Sequence, residues 1–339
     1  MNKRSRNISK ILHFLFLGVP SFICHAQKIQ LLDSNHNVSL RGLSVVNTQI
    51  CWASGSKGSV AISKDGGKSI EWMKVTGYEN RDFRDIEAWD ENTALLMAID
   101  TPAIILKTIN GGKSWEKVFE DTRSGMFLDA MFFKNKKKGI VVGDPIDGKF
   151  FLAQTVDGGE SWSSWQQDQS SLSDSGESLF AASGTNITIR KGKVYYVSGG
   201  LTSHIITGTN KISLPMNQGK SSAGANSIDR SADGRIIVAG GDFSADSVSV
   251  GNCVITDDEG KTFFFPKQGP YGYKSCIVYL GKNRWMACGT SGVDISIDHG
   301  ITWKNISKES FHVVQKAKAG NKILLAGKNG RIAEIIFNK

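Results

Sequence analysis

The chain has 339 residues, of which 40% are hydrophobic and 22% are charged, with 37 glycines against 6 prolines. Such a composition can supply a buried core and excludes a disordered chain. The formal net charge is +9, but four of the basic residues fall within the first ten positions. The positive charge therefore does not indicate a nucleic-acid partner, because much of it belongs to a terminal segment.

Residues 1–26 have the organisation of an export signal peptide. A basic start is followed by the apolar run "ILHFLFLGVPSFI", too short to span a bilayer, and by "CHA" at the cleavage position. Cleavage after Ala26 leaves 37 basic and 32 acidic residues, a formal net charge of +5. We predict an exported protein, periplasmic or secreted, whose residues 27–339 form one domain without a transmembrane segment. Acylation at Cys24 is a second possibility, although Ile23 stands where that processing favours a small side chain.

The mature chain begins with a strand-like segment, "KIQLLD" at 28–33, and continues with units that repeat one order of elements. The first unit reads "LRGLSVV", "ICWASGS", "SVAIS" and "IEWMKVT", four short segments typical of β-strands. Counting second strands gives seven units, with the sequences "ICWASG", "ALLMAI", "GIVVGD", "VYYVSGG", "IIVAGGD", "WMACGT" and "ILLAGK". Repeats of about 40 to 50 residues with four antiparallel strands predict an all-β fold, a seven-bladed β-propeller.

The seventh unit stops one strand short of a blade, after "FHVVQKAKA", "KILLAGK" and "GRIAEIIF". The segment at 28–33 can supply the missing strand from the other end of the chain. Pairing the two ends closes the ring and removes the unpaired edges that an open sheet would expose. We therefore predict a ring closed by the mature N-terminal strand, and we expect a monomer.

An octapeptide follows the third strand of five units. It reads "SKDGGKSI" from Ser63, "TINGGKSW" from Thr108, "TVDGGESW" from Thr155, "TDDEGKTF" from Thr256 and "SIDHGITW" from Ser296. The gap of 101 residues before the fourth copy spans about two repeats, so the fourth unit lacks the octapeptide. The acidic or amide side chain can accept backbone N–H groups, and the glycine permits positive φ, which is turn chemistry. The residues predicted to be structural are Asp65, Asn110, Asp157, Asp258 and Asp298.

These octapeptides resemble the Asp-box, or bacterial neuraminidase repeat, of sialidases and related propellers. The seven-unit layout with "DGGKSW"-type boxes and an export signal resembles the photosystem II stability and assembly factor-like propeller family over essentially all of the mature chain. That resemblance implies a non-catalytic protein that helps to assemble or stabilise a membrane complex. It carries over no named partner, because nothing in the sequence indicates a photosynthetic host.

Propellers commonly bind their ligands where loops converge on the central channel. The octapeptides fall in third-to-fourth strand loops, so the other face carries the second-to-third loops and the connections between blades. Those loops are longer and chemically mixed, and the first strands begin there with Arg41, Asn226 and His312. We predict that this face binds a protein or peptide partner in the cell envelope, since alternating charges suit a polar or acidic ligand.

The candidate binding residues are Arg41, Arg81, Arg84, Asp85, Asp129, Asp144, Asp147, Lys149, Lys274 and His312. An alternative interpretation is that these charges pair with each other or are only solvated. As a set they favour binding, because separate loops bring them to one end of the ring.

Enzyme motifs are sparse in this sequence. There is no HExxH, no CxxC and no dinucleotide fingerprint, so we predict neither a cofactor nor a metal site. The segment "GDPIDGK" at 143–149 has phosphate-loop spacing, but Phe150 replaces the required Ser or Thr. Glycan binding or sialidase-like glycoside hydrolysis is the alternative function, with Arg41, Arg84 and Asp85 as available residues. Seven blades and the absence of an Arg-Ile-Pro element favour the non-catalytic interpretation.

Four cysteines remain in the mature chain. Cys276 and Cys288 are symmetric about Lys282, the middle of a predicted hairpin turn, so they can face each other across two strands. A disulfide and a pair of buried free thiols both fit this spacing.

Overall fold

The computed structural model describes residues 27–165, 171–190 and 192–337. These residues form seven antiparallel sheets and no helix, which confirms the predicted seven-bladed β-propeller. The predicted signal peptide, residues 1–26, lies outside the described residues. Within the described part of the chain, no helix has the length and apolarity needed to cross a membrane.

The first strand of the chain, β1 (Gln27–Asp33), belongs to the last blade, and the strands that follow build the blades in order. Blade 1 contains β2 (Leu40–Val45), β3 (Cys51–Gly55), β4 (Ser59–Ser63) and β5 (Glu71–Lys74). Blade 2 contains β6 (Phe83–Ala88), β7 (Ala94–Ala98), β8 (Ala103–Thr108) and β9 (Glu116–Asp121). Blade 3 contains β10 (Leu128–Phe133), β11 (Gly139–Ile146), β12 (Lys149–Thr155) and β13 (Ser163–Ser164). In each of these three blades the strands pair in chain order. The first strands of neighbouring blades contact each other around the channel, as β2 contacts β6.

Blade 4 has divided first and second strands. The first strand consists of β14 (Glu177–Ser178) and β15 (Ile187–Arg190), and the second of β16 (Lys193–Val197) and β17 (Gly199–Gly200). The outer strands are β18 (His204–Thr207) and β19 (Asn210–Ser213). The strand β14 pairs with β17, and β15 pairs with β16. Residues 179–186, which connect β14 to β15, therefore lie outside the sheet. A two-residue turn joins β18 to β19, so this is the unit without the octapeptide.

Blade 5 departs from the predicted four strands. It contains β20 (Ala223–Arg230), β21 (Ile236–Asp242) and β22 (Cys253–Thr256), and its sheet also includes β14 and β17. The expected fourth strand is reduced to a bridge between Ile255 and Phe264. Pro266 follows closely and has no N–H to donate, which explains why the strand does not continue.

The last two blades complete the ring. Blade 6 contains β23 (Cys276–Gly281), β24 (Arg284–Gly289), β25 (Gly292–Ser296) and β26 (Lys304–Ser307). Blade 7 contains β27 (Val313–Lys316), β28 (Ile323–Ala326) and β29 (Ile332–Phe337). β1 pairs antiparallel with β29, from Gln27 opposite Phe337 to Asp33 opposite Ile332. The strand β1 therefore closes the ring, as the sequence predicted.

Side chains of the first strands connect neighbouring blades around the channel. Ser44 Oγ accepts a hydrogen bond from the amide of Ala88 at 3.0 Å, which joins blade 1 to blade 2. A carboxylate oxygen of Asp229 accepts one from the amide of Tyr279 at 2.6 Å, which joins blade 5 to blade 6. These bonds satisfy buried amides and fix each first strand relative to the next.

The two cysteines of the predicted hairpin, Cys276 and Cys288, lie directly opposite each other in β23 and β24. Both are fully buried and both are free thiols in the structure. Of the two interpretations left open by the spacing, the structure contains the buried pair of thiols.

Candidate functional site

The octapeptide turns share one face of the ring with the first-to-second strand turns. The amide of Gly66, in the first octapeptide, donates to the carbonyl of Gln49 at 2.8 Å. On the other side, the amide of Gly58 in a second-to-third loop donates to the carbonyl of Arg81 in a blade connection at 2.7 Å. We call the first side the box face and the second the opposite face.

Each octapeptide turn is held by hydrogen bonds within itself. In the third copy, Thr155 Oγ1 donates to Asp157 at 2.7 Å and accepts from the amide of Gly159 at 2.9 Å. Asp157 also accepts from the amide of Ser161 at 3.1 Å and from its hydroxyl at 2.5 Å. The same pattern recurs around Asp65, Asn110, Asp258 and Asp298.

The second copy shows how an amide replaces the carboxylate. The Asn110 oxygen accepts from the Thr108 hydroxyl and from the Ser114 amide, both at 3.0 Å, while its nitrogen donates to the Ser114 hydroxyl at 2.8 Å. Where the residue is an aspartate, the bonds favour its charged form, and those from Thr262 lower the pKa of Asp258 to about 2. A carboxylate with a lowered pKa is a poor proton donor, so we assign these hydrogen bonds to stabilising the turn.

A repeated backbone feature brings one residue per blade to the channel mouth on the opposite face. In blades 1, 2, 3 and 5 the register between first and second strands shifts by one residue, which is a β-bulge. A bulge re-aims the side chain of the extra residue. With the residues that immediately precede the first strands of blades 6 and 7, they form what we call the bulge ring: Arg41, Arg84, Asp129, Asn226, Ser275 and His312.

The excursion from blade 4, residues 179–186, crosses this mouth, and we call it the plug. Arg41, from blade 1, donates to the carbonyl of Ala182 at 3.2 Å. Arg84, from blade 2, donates to the carbonyl of Ala181 at 3.4 Å. The two arginines therefore hold the main chain of the plug by its carbonyl groups.

Side chains from the other blades fix the two ends of the plug. Near its start, Asp144 of blade 3 accepts from the amide of Leu179 at 2.7 Å. Near its end, the Ser183 hydroxyl donates to the carbonyl of Ser275 in blade 6 at 2.7 Å. Because residues from opposite sides of the ring contact it, the plug closes the channel at this level.

Burial determines which side chains at the mouth are charged at pH 7. Burial, and after it the positive charges of Arg41 and Arg84, lowers the pKa of His312 to about 3, so the imidazole is neutral at pH 7. Burial raises the pKa of Asp129 well above its ordinary value, which favours the neutral acid. Burial also raises the pKa of Asp144, to about 6. The charged groups at the mouth are therefore the two guanidinium groups, one of which lies 2.9 Å from the Asp82 carboxylate, and the Asp144 carboxylate.

Aromatic side chains extend from the plug over the opposite face. Phe180 lies edge-on to Phe243 with ring centroids 5.9 Å apart, and Phe243 lies edge-on to Tyr273 at 6.2 Å. The Tyr273 hydroxyl donates to Asn226 of the bulge ring at 2.7 Å, whereas Phe243 is 48% exposed. Sequence patterns gave no signal for this row, because its members come from three separate loops.

Two of the predicted binding residues have interior structural contacts. Arg81 donates to the carbonyls of Ile99 at 2.7 Å and Pro102 at 2.6 Å, which fixes the adjacent loop. Lys274 is fully buried, with its ammonium nitrogen 2.6 Å from a carboxylate oxygen of Asp294. Neither side chain lies at the mouth.

Asp85, Asp147 and Lys149 also lie away from the bulge ring. Asp85 is buried behind the plug, where its carboxylate accepts from the amide of Met131 at 2.7 Å. Its pKa is raised to about 8, mainly by burial. Asp147 is exposed in the turn that ends at Lys149. It lies beside Arg123 at the rim of the ring. The predicted residues that do converge are Arg41, Arg84, Asp129, Asp144 and His312.

A cavity of about 710 Å³ opens on the box face and ends at the plug. Its lining includes Asp85, Glu87 and Asp229. Asp85 and Asp229 accept amides of neighbouring strands, and Glu87 pairs with Lys318 at 2.7 Å. These carboxylates already connect blades, so the cavity offers a ligand few uncommitted polar groups.

One cluster outside the channel has metal-binding residue types. Asp174, Glu177 and His204 bring their ligand atoms within 4.8 Å of one another. The ammonium of Lys211 lies 2.7 Å from each of the two carboxylates, and His204 contacts Glu177 at 2.8 Å. Lysine thus supplies the cation between the carboxylates, and we assign the cluster to an ion-pair network.

No family model matches the sequence, and no curated protein matches it. Solved structures are similar in fold. YCF48 bound to D1 peptide is 15% identical with a TM-score of 0.62, covering 94% of this chain and 100% of that one. YCF48 from Cyanidioschyzon merolae is 15% identical with a TM-score of 0.64, and the match covers 91% of this chain and 98% of that one. The WD40 β-propeller domain of Doa1 is 14% identical with a TM-score of 0.61, and the match covers 92% of this chain and 98% of that one. At these identities the similarity shows the shared propeller fold.

Proposed function

We propose that the protein is an exported, non-catalytic propeller that binds a protein or peptide partner of the cell envelope through its opposite face, as an assembly or stability factor. The observation that carries this proposal is the pair of bonds from Arg41 and Arg84 to main-chain carbonyls of the plug. Guanidinium groups at the mouth of a channel can also pair with carbonyls and carboxylates of a bound peptide.

The chemistry around these arginines suits such a partner. An exposed ring, Phe243, lies beside the mouth and offers an apolar contact next to the charges. Aromatic and arginine side chains together are the residue types enriched in protein interfaces. A solved propeller of similar fold, YCF48, has been seen with a D1 peptide, which lends support to peptide binding by this architecture.

The carboxylates favour binding over hydrolysis. Glycoside hydrolysis requires two carboxyl groups on either side of one substrate bond. Here Asp129 is fully buried, Asp144 is bonded to the plug, and Asp85 lies behind the plug. The arginines and carboxylates that the sialidase-like interpretation would use therefore do not share one accessible pocket.

Affinity capture from a cell-envelope extract tests the proposal. Replacing Arg41 and Arg84 together by glutamine should abolish capture of the specific partner that the parent protein retrieves. The matched control variant has Arg123 and Arg235 replaced by glutamine, because these two arginines make their ion pairs at the rim. It should retrieve the partner as the parent protein does. Equal capture by the Arg41 and Arg84 variant, with an unchanged melting temperature, would contradict the assignment of the site.

A further inference from the structure

The turns between first and second strands, on the box face, are rich in lysine. In blades 3, 6 and 7 these turns contain no acidic residue, and their lysines are Lys134, Lys136, Lys137, Lys138, Lys282, Lys318 and Lys322. The turns of blades 2 and 5 carry the acids Asp90, Glu91 and Asp233. Two of these acids are committed, since Asp90 accepts two amides of its own turn and Asp233 lies 3.1 Å from His299. Together the turns carry an excess of positive charge around the channel.

Most of these ammonium groups have no carboxylate partner. Lys318 and Lys322 pair with glutamates at 2.7 and 2.6 Å. The other lysines of the set make no ion pair within the described part of the chain, and the four in blade 3 are exposed. Asn135 fixes the blade 3 turn by accepting the amides of Lys137 and Lys138, both at 2.9 Å. A fixed turn thus holds these charges in the solvent.

Exposed aliphatic side chains lie on the same face as these lysines. Ile109, Val156 and Ile297 are 72%, 64% and 68% exposed, and each is the second residue of an octapeptide. Val156 lies next to the blade 3 turn, because the amide of Gly158 donates to the carbonyl of Lys137 at 2.9 Å. The box face thus combines unpaired positive charge with apolar groups that are open to solvent.

The lysines lie on both sides of the channel. Blade 3 is separated from blades 6 and 7 by two blades in each direction around the ring. Lys134 and Lys136 of blade 3 nevertheless line the same cavity as Lys316 and Lys318 of blade 7. Lys316 keeps its charge, since its ammonium donates to the carbonyl of Leu280 at 2.9 Å. A partner that engages both sides must extend across the whole face, as a planar surface does.

We propose that the box face docks on the surface of an anionic phospholipid membrane. The ammonium groups attract the lipid phosphates, and Ile109, Val156 and Ile297 enter the boundary between head groups and acyl chains. Lysine suits this surface because its ammonium is a point charge that requires no fixed partner geometry. The aliphatic side chains add apolar burial that a nucleic-acid backbone does not offer. This site does not depend on the proposed function of the channel mouth, and it leaves the opposite face directed away from the membrane.

Sedimentation with lipid vesicles tests the proposal. The protein should bind phosphatidylcholine vesicles that contain about 30% phosphatidylglycerol, and rising salt should release it. Vesicles of phosphatidylcholine alone should bind it at least about tenfold more weakly. Replacing Lys134, Lys136 and Lys137 by glutamine should weaken binding to the anionic vesicles at least about tenfold.

The matched control for this variant removes the same number of charges from the opposite face. It replaces by glutamine the exposed residues Lys57, Lys308 and Lys328. These lysines lie in second-to-third strand loops and in a connection between blades. Binding to the anionic vesicles should change by less than about twofold, because the membrane contacts the other face.

A second pair of variants tests the apolar contact. Replacing Ile109 and Val156 by serine should weaken binding to the anionic vesicles at least about threefold. Replacing Leu201 and Val250 by serine should leave it unchanged, because these exposed residues lie in second-to-third strand loops. Three results would overturn the proposal: equal losses in the two lysine variants, vesicle binding that ignores the Ile109 and Val156 variant, or binding to a DNA duplex or a polyglutamate peptide at salt that releases the protein from the vesicles.

Discussion

The octapeptide turns and the bulge ring are both repeated features, but they repeat in different ways. The turns use nearly the same residues five times and satisfy their hydrogen bonds internally, as around Asp157. The bulge ring uses one backbone position in several blades and fills it with residues as different as Arg84, Asp129 and Asn226.

This difference indicates where function is to be sought. A side chain that recurs with its partners stabilises a local turn, whereas a recurring backbone position with changing side chains can shape a surface. The plug supports this view, since the contacts that hold it come from the variable positions, such as Arg41 and Arg84.

The largest expected effect concerns closure of the ring by β1, on which the octapeptide turns and the bulge ring both depend. Deletion of residues 27–34 removes β1 and leaves the outer edge of β29 unpaired, so we expect the free energy of unfolding to fall by about 5 kcal/mol or more. Thermal denaturation followed by circular dichroism should show a melting temperature lower by more than about 10 °C. Replacement of the exposed Leu31 by serine is the control and should have little effect. An unchanged melting temperature after the deletion would contradict closure by this strand.

The second prediction tests the packing of the plug. A Cβ at Gly184 would lie 2.4 Å from the Asp85 carboxyl carbon, and the residue has φ of 68°. We expect Gly184→Ala to lower the free energy of unfolding by about 2 to 4 kcal/mol, measured in urea. Gly208→Ala has a similar φ of 58° but open space around it, and should cost only about 1 kcal/mol. Equal costs would mean that the plug does not pack against Asp85.

The third prediction concerns pH at the bulge ring. The pKa of His312 falls from 6.5 in the unfolded chain to about 3 in the folded protein, so the unfolded chain takes up a proton first as pH falls. Stability from this residue is present above pH 6.5 and is lost progressively toward pH 3. Between pH 7 and 4.5 we expect a loss on the order of 2 kcal/mol in urea titrations that is absent in His312→Gln. Equal pH dependence of the two proteins would contradict the burial of a neutral imidazole.

The smallest expected effect belongs to the turns. Thr155→Val removes the hydroxyl that accepts the Gly159 amide, so we expect a loss of about 1 to 2 kcal/mol in the free energy of unfolding. Thr207 ends the third strand of the blade without an octapeptide, and Thr207→Val should change stability by less than about 0.5 kcal/mol. The Thr155 variant should capture the same partner as the parent, and loss of capture without unfolding would move function to the box face.

The sequence predicted the features that depend on local or repeated patterns. Strand alternation and the turn residues gave seven blades and the spare strand at 28–33, and the predicted residues Arg41, Asn226 and His312 stand at or next to the starts of first strands. Blade 5 kept only a bridge at its fourth strand, where Pro266 prevents the pairing that the pattern implied.

Features that depend on distant contacts were not visible in the sequence. No motif of the sequence singles out residues 179–186, because their place in the channel follows from bonds to other blades, such as those from Arg41 and Arg84. Lys274 was expected at the binding face because it ends one of the chemically mixed loops, but its pairing with Asp294 buries it. A lysine can be buried in this way only when its partner is also brought inside by the fold.

The most direct test of the central claim is hydrogen exchange of the protein bound to its captured partner. Binding through the opposite face predicts slower exchange for the amides of the plug, residues 179–186, and for those around Arg41 and Arg84. The octapeptide turns, including Gly159 and Ser161, should exchange as they do in the free protein. Protection confined to those turns, with the plug unchanged, would contradict the account.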